Sequence, residues 1–197
     1  MIIIPRKKTL DEGLEGLDAF FVMLQSGWIN TQLFLYYCIL FIVEVQARRA
    51  TMNPMDAQEP FLLIVDGHGS RCNYLTLRFL ELFNIDLLIL PGHTSHILQP
   101  LDVGIFSPLK AEWKRMFDRS CIRIDATGHI IQAANYTAKE LRYLMITAFL
   151  DAIAFACTPT NIKSAFQATG LHPVDPFRPL FRCVLSCKGR TLSVASG

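Results

Sequence analysis

Charge is sparse in this chain and nearly cancels: 19 Lys and Arg stand against 17 Asp and Glu, a formal net charge of +2 with a pI near 8.2. A strongly basic nucleic-acid module carries a much larger excess. Contact with DNA therefore has to come from local clusters, Arg6-Lys7-Lys8, Arg48-Arg49 or Lys110 with Lys114 and Arg115, and each of these is by default a solvated face. Apolar runs of membrane-spanning length, about 20 residues, are missing too. The longest candidate, LFLYYCILFIVEV from Leu33 to Val45, has 13 residues, includes Glu44, and is flanked by Asn30, Thr31 and Gln32 and by Gln46, Arg48 and Arg49. It reads as a buried helix of an α/β domain. The first residues lack the charged, apolar, then small-residue layout of a signal peptide, and no internal repeat or low-complexity stretch is present. The six cysteines, at 38, 72, 121, 157, 183 and 187, are scattered, several of them in apolar segments. Such thiols behave as small hydrophobes and point to a reducing compartment, not a disulfide framework. Cys183 and Cys187 lack a second pair at zinc-finger spacing and read as ordinary tail thiols.

The hydrophobic content is 51% and the charged content 18%, a globular composition with enough length for a real core. Ile2 to Pro5 reads as a strand ended by proline, followed by a variable connection to Ser26-Gly27. A long helix is expected from Trp28 to about Arg49, with Asn30 or Thr31 as its cap. Thr51 to Pro60 is a polar loop. Phe61 to Val65 is a continuous apolar run, the pattern of a strand buried on both faces, and it stops at the turn pair Asp66-Gly67. Asn73 to Phe83 has apolar residues at helical spacing. A second buried strand, Leu87 to Leu90, stops at Pro91-Gly92, and Pro100 is suited to open a helix carrying Val103, Phe106, Leu109, Trp113 and Phe117. Strand, helix, strand, helix in this order describes a layered α/β domain with parallel pairing. Helices are expected from Ala138 to Cys157 and from Asn161 to Ala168, the latter stopped by Gly170 and Pro173. The expected organisation is a core over residues 1–120, a helical part of the same domain over 121–182, and a frayed tail over 183–197.

Two acids sit where chemistry is expected. Asp66 ends a central strand, and ligands of open α/β sheets bind beyond the carboxyl ends of strands; the competing role is a turn aspartate capping its own backbone. Asp102 lies in the first turn of a predicted helix, where the helix dipole alone favours an acid. Their surroundings decide between the roles. LLIVDGHGSR followed by LLILPGHTSHILQPLDVGIFSPLKAEW closely resembles the DDE catalytic domain of the pogo, Tigger and jerky group of transposases. Asp66 and Asp102, with thirty-five residues between them, occupy the positions of that family's second and third acids. The resemblance reaches upstream to Ser26-Gly27-Trp28-Ile29 and downstream to Asn161-Ile162, Ala165-Phe166 and Thr169 to Pro173, so it covers most of residues 1 to 178.

The resemblance implies an incomplete ribonuclease-H-like fold, strands of a mixed sheet flanked by helices with a helical C-terminal part. It implies Mg²⁺ or Mn²⁺ held by Asp66 and Asp102, a DNA substrate, no membrane, nuclear residence and, in the full-length relative, a homo-oligomer. Hard cations prefer carboxylate oxygens, and two of them about 4 Å apart can serve both the attacking and the leaving oxygen of a phosphodiester. His68, Ser70, His93, His96, Gln99 and Lys110 are the candidates for supporting hydrogen bonds or DNA contacts; the histidine spacing is a poor zinc pattern. The family's first acid lies on the opening strand in a D-E-T/S-G-like motif. Asp11-Glu12-Gly13 matches it superficially, but seventeen positions before Trp28 and behind Arg6-Lys7-Lys8 it has neither the distance nor the apolar strand. The expectation is a chain that starts after the first two strands and their aspartate, without the upstream helix-turn-helix region. Such a chain holds divalent metal weakly, exposes a sheet edge and apolar surface, and is inactive by itself; the alternative is a domesticated, non-catalytic DNA-binding or interaction protein like centromere protein B.

Overall fold

Two short apolar runs open the chain. Ile2–Pro5 forms β1 and Phe21–Leu24 forms β2, paired in parallel from Ile2 opposite Phe21 to Pro5 opposite Leu24. The second strand is a correction to the expected variable connection. Its four residues, all apolar, lie just before the Ser26-Gly27 turn, and pairing with β1 selects the extended form. The computed structural model describes residues 1–5, 10–71, 73–124, 127–131 and 136–181. It separates two compact units, Met1–His93 and Thr94–Gly197.

In the first unit, helix α1 spans Thr31–Arg49. It opens at Asn30, not at Trp28, because the Asn30 side chain accepts the Leu33 N–H at 2.8 Å, the job of an N-cap; Trp28 stays outside and is 77% exposed. Strand β3, Phe61–Val65, and strand β4, Ile85–Ile89, pair in parallel with Val65 opposite Ile89, joined by helix α2, Tyr74–Leu82. Asn73 caps α2 by accepting from Leu75 and Thr76 N–H. Alternation along the strands sends Leu63, Val65 and Ile85 into a core with Phe34, Cys38, Ile42 and Val45 of α1 and Leu80 of α2. The other face carries Leu62 at 55% and Leu88 at 39% exposure. The expectation of strands buried on both faces is therefore corrected: the helices that pack on this ladder within the unit cover one face only.

The opposite end of the ladder, where β3 and β4 begin, is stitched by a cation. Arg49, at the end of α1, donates to the carbonyls of Phe83, Asn84 and Glu59 and lies 5.0 Å over the Phe61 ring.

The second unit is mainly helical. A short helix α3, Ser95–Leu98, and a π-helical turn, Leu101–Ile105, precede helix α4, Phe106–Ser120. A two-residue antiparallel ladder, β5 (Arg123–Ile124) with β6 (Ile130–Ile131), follows. Helix α5, Ala138–Ala156, starts at a capping box in which Thr137 and Glu140 satisfy each other's backbone N–H. Helix α6, Pro159–Thr169, starts with Thr158 as cap and proline in its first turn, and ends at Gly170 with φ of +69°. Ile105, Leu109, Ala152, Ala156 and Ala165 form this unit's core, with Trp113 edge-on to Phe149 at 5.1 Å.

The architecture is α/β. Where a single mixed sheet was expected, the described strands form three separate two-stranded ladders. The tail, residues 183–197 with Cys183 and Cys187, lies outside the described residues, as do Arg6, Lys7, Lys8 and Cys72. Cys38, Cys121 and Cys157 are free thiols.

Candidate active site

Asp66 follows the last residue of β3, as the sequence pattern requires. The ladder continues one bond past it, Leu90 N–H donating to the Val65 carbonyl at 2.9 Å. Gly67 then turns the chain so tightly that a Cβ there would stand 3.0 Å from the Leu90 carbonyl and 3.5 Å from the Gly92 nitrogen. Asp66-Gly67 and Pro91-Gly92 thus sit side by side at the carboxyl ends of the two strands. His93, exposed and with φ of +62°, leaves from the second of these turns.

Behind Asp66 a short 3-10 turn, Gly69–Arg71, carries Ser70 and Arg71 and returns the Arg71 side chain toward it. Arg71 Nε donates to Asp66 Oδ1 at 3.1 Å, and Arg71 Nη1 donates to Ser70 Oγ at 3.0 Å. The guanidinium also lies 4.7 Å over the Phe34 ring of α1, a cation–π contact. The Asp66 side chain stays 38% exposed while Arg71 is at 14%, so the acid faces solvent and its counter-ion does not.

Ser70 is buried, and its hydroxyl lies 2.9 Å from His68 Nδ1. The Ser70 backbone N–H donates to that same nitrogen at 3.3 Å. An Nδ1 that accepts from the backbone leaves the proton of the neutral ring on Nε2, so the exposed His68 carries its hydrogen-bond donor on the far edge of the ring.

In the second unit, Asp102 lies in the first turn of the π-helical segment, after Pro100, and is exposed. An ordinary α-helical start was expected there. The π turn is fixed by packing: a Cβ on Gly104 would stand 2.6 Å from the Ala165 Cβ and 3.0 Å from its Cα, so the turn lies directly on α6. The motif residue Ala165 forms the other side of this contact, and the buried Thr169, one turn on, bonds its Oγ1 back to the Ala165 and Phe166 carbonyls. π turns occur frequently at functional sites. Gln99 caps α3, and its carbonyl accepts the Val103 N–H at 3.0 Å, tying the His96 helix to the Asp102 turn. His96 is exposed on α3, and Lys110 and Lys114 are exposed on α4.

The basic clusters divide. Arg49 is committed to three backbone carbonyls. Arg115 is held by Glu112, with Nε to Oε2 at 2.8 Å, and the hydrogen bond from Arg115 holds the Glu112 carboxyl below the usual range. Asp11 and Glu12 fall in the turn-rich connection between β1 and β2, away from any strand end. Among the described residues no three His, Cys, Asp or Glu side chains gather as a metal-binding group. Taken singly, Asp66 and Asp102 each present a solvent-facing carboxylate, a hard oxygen donor of the kind a divalent cation takes.

A family model for the DDE superfamily endonuclease matches residues 5–166, more than four-fifths of the chain. The chain belongs to the DDE superfamily endonucleases. Both acids of this DDE endonuclease, and every candidate supporting residue, lie inside the matched region. The chain is also similar to the MFS-type transporter clz9 of Cochliobolus lunatus, 39% identical over 115 residues, which are 58% of this chain and 11% of that protein. Most of that relative thus has no counterpart here. Among the described residues no single helix is long and apolar enough to cross a membrane, and one pair, α5 with α6, passes such a test together but is bent by 71°. No solved structure matches the chain significantly.

Arg71 and Gly104 are the site residues that the sequence pattern did not bring forward. A cation five residues after a strand-end acid was visible in DGHGSR. Gly104 carried no such signal, since its role depends on the distant Ala165.

Proposed function

We propose that this DDE endonuclease contributes Asp66 and Asp102 as metal-binding carboxylates to a site that cleaves and transfers DNA strands, in the manner of the pogo, Tigger and jerky transposases. The observation that carries this reading is Asp66 at the carboxyl end of β3, inside the matched endonuclease region. The HTSHILQPLD string around Asp102 supports the finer assignment to that group. Mg²⁺ or Mn²⁺, when bound, would supply an activated nucleophile and a stabilised leaving oxygen. The chain's own contribution is the pair of hard oxygen ligands, with His68 Nε2–H, His93, His96, Gln99 and Lys110 as donors toward the phosphodiester. A DNA substrate makes the nucleus the expected compartment.

We further propose that the 197-residue chain does not cleave DNA unaided. Two carboxylates carry less negative charge than three, and charge sets the affinity for divalent ions. Asp11 is a poor third member because it sits between β1 and β2 instead of ending a strand. Incubation of the purified chain with supercoiled plasmid and Mn²⁺ tests this directly, with Asp66→Asn in parallel. Intact plasmid is expected from both. Nicking by the unaltered chain that disappears in Asp66→Asn would overturn the inactivity and support Asp66 as a ligand.

A further inference from the structure

We propose that Arg71 is a built-in counter-cation of Asp66, which competes with divalent metal for the carboxylate and so restrains metal binding. This rests on the reading of Asp66 as a metal ligand. The geometry is that of a cation held in place from three sides: Nε on Asp66 Oδ1, Nη1 on Ser70 Oγ, and the guanidinium plane over Phe34. Ser70 is itself buried and tied to His68, so the clamp does not depend on Asp66 alone.

Two effects of Arg71 on metal binding oppose each other. Its hydrogen bond orients the carboxylate, which favours a ligand, and its charge repels an incoming dication. Orientation is already supplied by the strand end and by the tight Gly67 turn against Leu90. The repulsion has no such substitute and acts at contact distance in a partly buried setting, where screening by salt is weakest. The charge therefore wins. A metal reaching Asp66 must either use Oδ2 alone or displace the guanidinium from Oδ1. Arginine suits this role because it stays charged at every working pH. DNA offers a natural release, since a phosphate oxygen is a competing partner for the same guanidinium fork.

Mn²⁺ binding to the full chain, followed by the electron paramagnetic resonance signal of free Mn²⁺, tests the proposal without any need for catalysis. Arg71→Gln is expected to bind Mn²⁺ roughly three- to tenfold more tightly, the gain for losing one ion-pair partner of a half-exposed carboxylate. Arg71→Lys, which keeps the charge, is expected to stay within twofold of the original, about the resolution of such a comparison. Asp66→Asn is expected to bind more weakly. Folded Arg71→Gln with unchanged or weaker affinity, or with no binding where the original chain has none, overturns the proposal. Unchanged binding in Asp66→Asn instead overturns the assignment of Asp66 as a ligand. If Arg71→Gln fails to fold by circular dichroism, Ser70→Ala releases one anchor while keeping the guanidinium. A smaller gain in the same direction is then expected, and no gain counts against the proposal.

Discussion

Cys38 illustrates how a single buried residue takes on a pH signature. It is fully buried against α2 and the β3–β4 ladder, and burial pushes its thiol up to about 11, with Arg71 opposing. In the unfolded chain a cysteine loses its proton near pH 8.5. Between these values the native state holds a proton that the unfolded state has released, so stability falls as pH rises. The slope approaches about 1.4 kcal/mol per pH unit inside that window and vanishes below it. Urea unfolding at pH 7.5, 8.5, 9.5 and 10.5 should show this decline in the original chain. Cys38→Ala should be less stable at pH 7.5 through its cavity, yet lack this part of the decline. Tyr37, whose hydroxyl is pushed up by burial first and by Cys38 second, contributes to both, and less in Cys38→Ala. Parallel pH profiles for the two proteins would refute the assignment.

Gly104 carries the corresponding argument for an element. The π turn at Leu101–Ile105 exists because Gly104 lets the backbone rest on Ala165 of α6. Gly104→Ala should cost about 1 to 3 kcal/mol, the usual range for forcing a carbon into a filled contact, read as a shift in urea midpoint. Ala165→Gly alone should cost about 0.5 to 1 kcal/mol as a helix-interior glycine. Combined, the two should cost less than the sum of the separate effects, because the second removes the Cβ that the first strikes. Strict additivity would show that this contact does not shape the turn. The same contact explains what was legible beforehand. Strand β3 and helices α2 and α5 follow from local pattern and punctuation, Asp66-Gly67 and Asn73 above all, and they stand where the sequence put them. Asp66 was legible for the same reason, a polar turn after an apolar strand. The π turn under Asp102 was not, since nothing local distinguishes it from an α-helical start and its cause lies some sixty residues away. Strand β2 and the exposure of Leu62 were hidden similarly: both depend on what packs alongside, not on the run of residues itself.

For the whole molecule, the modest net charge becomes a prediction about DNA once the basic clusters among the described residues are given their places. Salt sensitivity of binding counts phosphates neutralised, with a slope of log affinity against log salt of about −0.9 for each. Of the basic clusters, Arg49 serves three backbone carbonyls and Arg115 serves Glu112. Lys110 and Lys114 are exposed one helical turn apart on α4, spaced to meet one stretch of backbone. Fluorescence anisotropy with a labelled duplex, titrated at several NaCl concentrations, separates these roles. The double variant Lys110→Ala with Lys114→Ala should flatten the slope by about 2 while leaving the unfolding midpoint within about 0.5 kcal/mol of the original. Arg49→Ala should do the reverse. Its loss leaves the Phe83, Asn84 and Glu59 carbonyls without a charged donor and should cost about 2 to 3 kcal/mol of stability, with the slope unchanged in the protein that remains folded. Arg49→Lys should recover only part of that loss, since a point charge cannot reach three carbonyls as a planar fork does. If instead the slope responds to Arg49 and ignores the α4 lysines, the DNA-facing surface lies at the α1 terminus and Lys110 leaves the site.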